Sequence, residues 1–144
     1  MGLVSKTTVR VRYADTDKMG VAYHANYIIW FEVGRAEFFR GLDMPFPKFE
    51  EEGLGMYVIN VSCRYRKPAI YDDEIVVITE AEKMSLHAVH FKYRMYRGNT
   101  QLADGKSVHV FLDREGKMAD ISKYKILVSL RDQISGSTTM QEGL

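Results

Sequence analysis

Asp15, Asp17 and His24 stand within one short segment, Tyr13-Ala-Asp-Thr-Asp-Lys-Met-Gly-Val-Ala-Tyr-His-Ala-Asn-Tyr27. A carboxylate is ionised at neutral pH and can take a proton from water or attack a carbonyl carbon itself. Gly20 interrupts the segment as a turn residue does, and an apolar, helix-like run begins near Asn26. The free amides and dipole of a helix start favour negative charge, so they can hold the oxyanion that forms when a carbonyl is attacked. Carboxylate, turn and helix start together suit acyl transfer. The same Asp-x-Asp-x-x-Gly spacing also describes an ordinary turn, and spacing alone does not separate the two.

Two elements must position this segment. Upstream, Val9, Val11 and Tyr13 alternate with Thr8, Arg10 and Arg12, the period-two pattern of a strand, which points Tyr13 with the core face. Downstream, Asn26 is expected to cap a helix running to about Arg40, before Gly41 stops it. Tyr27, Ile28, Ile29, Trp30, Phe31, Val33, Phe38 and Phe39 predict burial over most of that helix's circumference. Glu32 with Arg35 and Glu37 with Arg40 are spaced as i,i+3 ion pairs.

The whole string resembles the 4-hydroxybenzoyl-CoA thioesterase family, and most closely its YbgC-like acyl-CoA thioesterase branch. The matching residues are Tyr13, Asp15, Thr16, Asp17, Gly20, Val21, Tyr23, His24, Asn26 and Tyr27, then Phe31, Glu32, Arg35 and Phe38. A second match is Tyr65-Arg-Lys-Pro-Ala-Ile-Tyr-Asp-Asp73, and the resemblance extends over roughly Thr7 to Leu112. It implies a hotdog fold and hydrolysis of an acyl-coenzyme A thioester to free acid and coenzyme A. Asp17 is the position it gives the catalytic carboxylate, as general base or nucleophile, with Asp15 shaping the loop. The amides of His24 and its neighbours would hold the carbonyl oxygen, while the His24 side chain and the Tyr13 hydroxyl orient substrate or Asp17. Tyr23 and Tyr27 are candidates for substrate binding, and Arg64, Arg66 and Lys67 for phosphate contacts. Coenzyme A enters as part of the substrate, with no separate cofactor, and an acyl-carrier protein is an alternative carrier. The family's edge-to-edge pairing of sheets implies a homodimer or homotetramer. A hotdog hydratase or dehydratase and a noncatalytic acyl-thioester binding module are the rival readings.

Composition sets bounds on all of this. With 144 residues, 46% of them hydrophobic, the chain suits one domain, placed at residues 1–132, with 133–144 as a disordered tail. Lys and Arg number 20 against 19 acidic residues, so the net charge of +1 gives no bulk attraction for nucleic acid or an anionic membrane. No apolar run is long enough to span a bilayer, and Met1 to Lys6 lacks a signal-peptide core. With Cys63 as the single cysteine, a cytoplasmic setting is expected.

After the helix, Met44 to Gly53 reads as an irregular or helical connection. A strand follows with Tyr57, Ile59, Val61, Cys63 and Tyr65 on one face and Asn60, Ser62, Arg64 and Arg66 on the other, ended by Pro68. Ile75 to Ala81 and Val89 to Met95 predict two more strands. Gly98-Asn99 predicts a hairpin into a last strand, Gln101 to Leu112, with Asp104-Gly105 as a candidate bulge. The fold class is therefore α+β, an antiparallel five-stranded sheet wrapped around one long central helix. A short C-terminal helix is expected around Ile121 to Val128, with disorder from Ser135. His24, His87, His90 and His109 lack metal-ligand spacing, so no metal is expected, and His90 and His109 read as residues of a solvated hairpin face. No Gly-x-Ser-x-Gly nucleophile elbow, P-loop or dinucleotide fingerprint occurs.

Overall fold

The computed structural model describes residues 3–142. Strand β1 (Leu3–Arg10) is followed by a 3-10 turn at Tyr13–Asp15, helix α1 (Ala25–Gly41), the short helix α2 (Phe46–Glu51), and strands β2 (Gly55–Tyr65), β3 (Glu74–Met84), β4 (Ala88–Arg97) and β5 (Thr100–Leu112). Helix α3 (Lys125–Glu142) closes the chain. The five strands form one sheet in the order β1-β3-β4-β5-β2, every neighbouring pair antiparallel. This is the expected hotdog arrangement, with β1 and β2 as its edges.

The inner face of the sheet packs on α1 because alternate residues of β3 and β4 are apolar. Ile75, Val77, Ala81, Val89, Phe91 and Met95 are all fully buried. Against them α1 sets Tyr27, Trp30, Phe31, Gly34 and Phe38, an i, i+3, i+4 stripe. The helix is therefore less enclosed than expected, since Ile29, Glu32 and Arg40 remain exposed. Two glycines permit the close approach. A Cβ on Gly34 would overlap Thr79 Oγ1, and one on Gly105 would overlap the Phe31 ring and the Ser62 carbonyl oxygen. Gly105 thus makes room for Phe31 and is no bulge: it pairs in regular register with Cys63 and Tyr93.

The irregularities fall elsewhere. Between Val58 and Asn60 the pairing with β5 skips Ile59, and between Met95 and Tyr96 the register with β5 skips Leu102. The slip at Ile59 puts Tyr57 and Val61 on opposite faces, which breaks the alternation read for this strand. As an edge, β2 leaves Tyr57, Val58, Ile59, Val61 and Tyr65 exposed. The two-residue Gly98-Asn99 hairpin forms as expected, with Arg97 opposite Thr100 and Gly98 at φ +58°.

The C-terminal helix is longer than expected. Leu127, Leu130 and Ile134 are buried, a stripe that anchors the first half of α3 against β1 and β3. Gly143 and Leu144 lie outside the described residues. Among the described residues, no helix is long and apolar enough to cross a membrane.

Candidate active site

The two aspartates of the loop have opposite fates. Asp15 is 4% exposed, accepts the Arg12 backbone N-H at 2.8 Å and pairs with the Arg12 guanidinium at 2.9 Å. Burial alone would raise its carboxyl, but the bonds from Arg12 outweigh that and hold it below its usual range. Its carbonyl accepts the Tyr23 N-H and the Asn26 side-chain amide, both at 2.8 Å. Asn26 is therefore a tie between loop and helix, and His24 occupies the N-cap position instead, with no side chain capping the helix. Among the described residues, the N-H groups of His24 and Ala25 make no hydrogen bond.

Asp17 remains open. One carboxylate oxygen accepts the Met19 N-H at 2.8 Å, and its backbone bonds Val21 and Gly20 across a turn that places Gly20 at φ +80°. A single β-bridge, Thr16 with Ala22, closes the loop, and the Ala22 N-H donates to Ala69 at 2.8 Å. These bonds seat the loop against the turn after β2. The result is a cavity of about 320 Å³ lined by Asp17, Val21, His24, Tyr27, Tyr65, Arg66, Lys67 and Pro68 among others.

Five of the eight expected site residues meet there: Asp17, His24, Tyr27, Arg66 and Lys67. Tyr27 is buried, and its hydroxyl accepts the Ala69 N-H at 3.0 Å, so its ring forms wall while its oxygen is committed to the turn. Tyr13, Tyr23 and Arg64 do not line the cavity. Tyr13 leaves the strand for the 3-10 turn and is 78% exposed, its ring edge-on to Tyr71 at 5.8 Å, so it does not point with the core. Tyr23 is exposed and lies against the His24 ring at 4.5 Å. Arg64 projects from the other face of β2, because strand residues two apart share a face and its neighbour Tyr65 faces the cavity.

Tyr65 was not singled out for the site, although it opens the second matching motif. Its hydroxyl donates to the His24 carbonyl at 2.9 Å, pinning the first turn of α1 to the end of β2. Burial, with the neighbouring Cys63 thiol, pushes that hydroxyl up to about 12, so it remains a donor across the physiological range.

A second polar cluster lies under α1. Arg35 donates to the Tyr93 hydroxyl at 3.1 Å rather than pairing with Glu32; Tyr93 meets Ser107 at 2.6 Å and Ser107 meets His109 Nε2 at 2.7 Å. His109 is 1% exposed, contrary to the solvated face expected for it. Burial first, and the Arg35 charge second, lower it to about 3, so it is neutral at physiological pH.

Residues 11–133 match the model of the Thioesterase-like superfamily. The acyl-CoA thioesterase YbgC of Haemophilus influenzae is 35% identical over 115 residues, which cover 79% of this chain and 84% of that protein. The acyl-CoA thioester hydrolase YbgC of Escherichia coli is 32% identical over 106 residues, 73% of this chain and 79% of the relative. Among solved structures, a DHNA-CoA thioesterase from Staphylococcus aureus superposes with a TM-score of 0.89 at 27% identity, covering 97% of this chain and 94% of that one. A cavity built from one open carboxylate and an uncapped helix start, on this sheet and with these relatives, identifies the chain as a member of the Thioesterase-like superfamily.

Proposed function

We propose that the protein hydrolyses acyl-coenzyme A thioesters to the free acid and coenzyme A, with Asp17 as the catalytic carboxylate. The observation that carries this reading is the shared cavity: Asp17 and the uncapped first turn of α1 at His24 line the same 320 Å³ space. The relatives named as acyl-CoA thioesterases support the substrate class. In the hydrolytic step, Asp17 takes a proton from water as its oxygen bonds to the thioester carbonyl carbon. The amides of His24 and Ala25 stabilise the oxyanion, which then collapses and expels the coenzyme A thiolate. In the covalent variant, an Asp17 carboxylate oxygen bonds to that carbon, the C–S bond breaks and the coenzyme A thiolate leaves; water then cleaves the mixed anhydride to the free acid and the Asp17 carboxylate. The His24 side chain orients the substrate, and Lys67 meets the anionic arm of the carrier, whether coenzyme A or the phosphopantetheine of a carrier protein.

The proposed working form is a homodimer or a pair of dimers. Tyr57, Val58, Ile59 and Val61, on both faces of β2, are exposed apolar residues of an unpaired strand edge, which proteins cover. A solution mass of one 16.6 kDa chain at micromolar concentration would contradict the assembly. A panel of aromatic, short and long acyl-CoA thioesters, followed by thiol release, tests the activity. Release from at least one is expected. Hydration without thiol release would favour a hydratase, and binding without either reaction a noncatalytic module.

A further inference from the structure

Arg64 belongs to a feature apart from the cavity that holds Arg66 and Lys67. On the outer face of the sheet, away from α1, a depression of about 550 Å³ runs across β2, β5, β4 and β3. Its charged lining is Arg64, Lys92, Arg94 and Lys106 against Glu80 and Asp104, a clear positive excess on a chain whose overall charge is +1.

The strand register orders these side chains in two rows. Arg64 lies opposite Asp104, and Asp104 opposite Arg94; Ser62 lies opposite Lys106, Lys106 opposite Lys92, and Lys92 opposite Glu80. Directly opposed residues on one face are ~5 Å apart, so each row brings its charges into a common field. Two members are already paired: Asp104 with Arg66 at 2.7 Å and Lys92 with Glu82 at 3.4 Å. Arg64, Arg94 and Lys106 form no ion pair among the described residues. Lys106 opposite Lys92 is a like-charge pair, which costs stability unless an anion lies over it.

One ion pair, Arg66 with Asp104, links this depression to the candidate active site. Arg66 lines the Asp17 cavity while its guanidinium holds Asp104, which lines the outer depression. Arg64 is two residues from Arg66 along the chain, ~7 Å. A long substrate with its reacting end at Asp17 and its charged end beyond Arg66 would meet Arg64, Arg94 and Lys106 next. A second copy of the chain, seated back to back on this face, would set these cations against their own duplicates.

The geometry points to the outer depression as the site for the phosphate-bearing nucleotide end of coenzyme A, held by Arg64, Arg94 and Lys106. This deepens the proposed function and rests on it. Thioester chemistry and nucleotide recognition then occupy opposite sides of the Arg66–Asp104 pair, and the pantetheine arm crosses the end of β2. Guanidinium groups suit phosphate oxygens because they donate in a planar fork.

The test compares one acyl group on two carriers, coenzyme A and N-acetylcysteamine, which has the thioester but no phosphate. In the double variant Arg94→Glu/Lys106→Glu, KM for the coenzyme A thioester should rise on the order of 10-fold or more, from the loss of two charge-assisted contacts, with kcat little changed. The N-acetylcysteamine thioester should be turned over as by the parent. Raising salt should increase KM for the coenzyme A thioester more in the parent than in the variant. Equal losses on both substrates would mean a general disturbance of the site and overturn the assignment, as would no loss on either. If the parent cleaves neither thioester, the proposed function fails separately. Calorimetry with adenosine 3',5'-bisphosphate then decides the inference: binding by the parent that weakens on the order of 10-fold in the variant supports it, and no binding by the parent overturns it.

Discussion

Two polar clusters are organised by α1. At its first turn, Asp17, His24, Arg66 and Lys67 surround an open cavity; just past its middle, Arg35, Tyr93, Ser107 and His109 form a chain inside the fold. Each contains a histidine and a Tyr hydroxyl beside it, so residue type does not tell them apart. What differs is how far their hydrogen-bonding capacity is used. In the buried cluster each hydroxyl and the His109 ring find an internal partner, and only Arg35 Nε and the neighbouring Thr79 Oγ1 are left without one among the described residues. At the helix start, the N-H groups of His24 and Ala25 and one Asp17 carboxylate oxygen have no partner among the described residues, and Asp17 and His24 line the cavity. Buried polar groups with partners specify a core, whereas exposed groups held in place but unpaired are what a substrate can use.

The buried side of that comparison should break most severely at Phe31. Its ring is fully buried and stacks on Tyr93 at 4.3 Å, so Phe31→Ala should cost ~3 to 5 kcal/mol and lower the melting temperature sharply. An unchanged melting temperature would show that the ring lines open space. Tyr93→Phe is the next largest test. It removes the hydroxyl between Arg35 and Ser107, leaving buried donors unmatched at a cost of ~1 to 3 kcal/mol, while KM should hold near the parent value. A variant of parental stability but altered KM would place the cluster in the substrate path.

The pH dependence of stability sharpens the same point. His109 binds its proton near 6.5 in the unfolded chain but only near 3 in the fold, so its stabilisation is complete above about 6.5 and is lost progressively as pH falls toward 3. A slope of up to ~1.4 kcal/mol per pH unit is expected across that window, and His109→Gln should remove it. Asp15 acts lower: its depressed carboxyl stabilises the fold above the ordinary aspartate range, and that contribution disappears as pH falls through its folded value. Unfolding curves of the parent and His109→Gln with the same slope between pH 4 and 6.5 would contradict the buried neutral imidazole.

The smallest effect is expected at the open cluster's support. Tyr65→Phe deletes the bond to the His24 carbonyl and should cost ~0.5 to 1.5 kcal/mol of stability. Because that bond fixes the helix start, kcat should fall while KM changes little. Full parental turnover would mean that the first turn is held well enough by Asn26 and Asp15 alone.

The fold was legible because its signals are periodic: alternation in β3 and β4, the apolar run of α1 and the Gly98-Asn99 turn each have one low-energy reading. Asp17, His24, Arg66 and Lys67 were legible as a group through two motifs on either side of α1. Less visible was anything that depends on tertiary neighbours. Tyr13 continued the strand's alternation but fell in a 3-10 turn, and Asn26 had the chemistry of a cap but turned to the Asp15 carbonyl. Arg64 looked continuous with Arg66 and Lys67, yet the turn before Pro68 carries those two into the cavity while Arg64 stays on the outer face. His109 belongs to a hairpin that looked solvated, and only its tertiary contacts, with Ser107 and the Phe91 ring among them, show it to be buried.

In the proposed mechanism the two carboxylates of one loop divide the work: Asp15 holds the loop through Arg12, and Asp17 performs the chemistry. Turnover of the best acyl-CoA substrate by Asp17→Asn and Asp15→Asn, each checked for folding, tests it most directly. Asp17→Asn should fold as the parent does and lose ~100 to 10,000-fold in kcat, the range for removal of a general base. Asp15→Asn should lose stability through its Arg12 contacts yet keep most of its turnover when folded. Parental turnover by Asp17→Asn, or equal losses in both variants, would contradict the account.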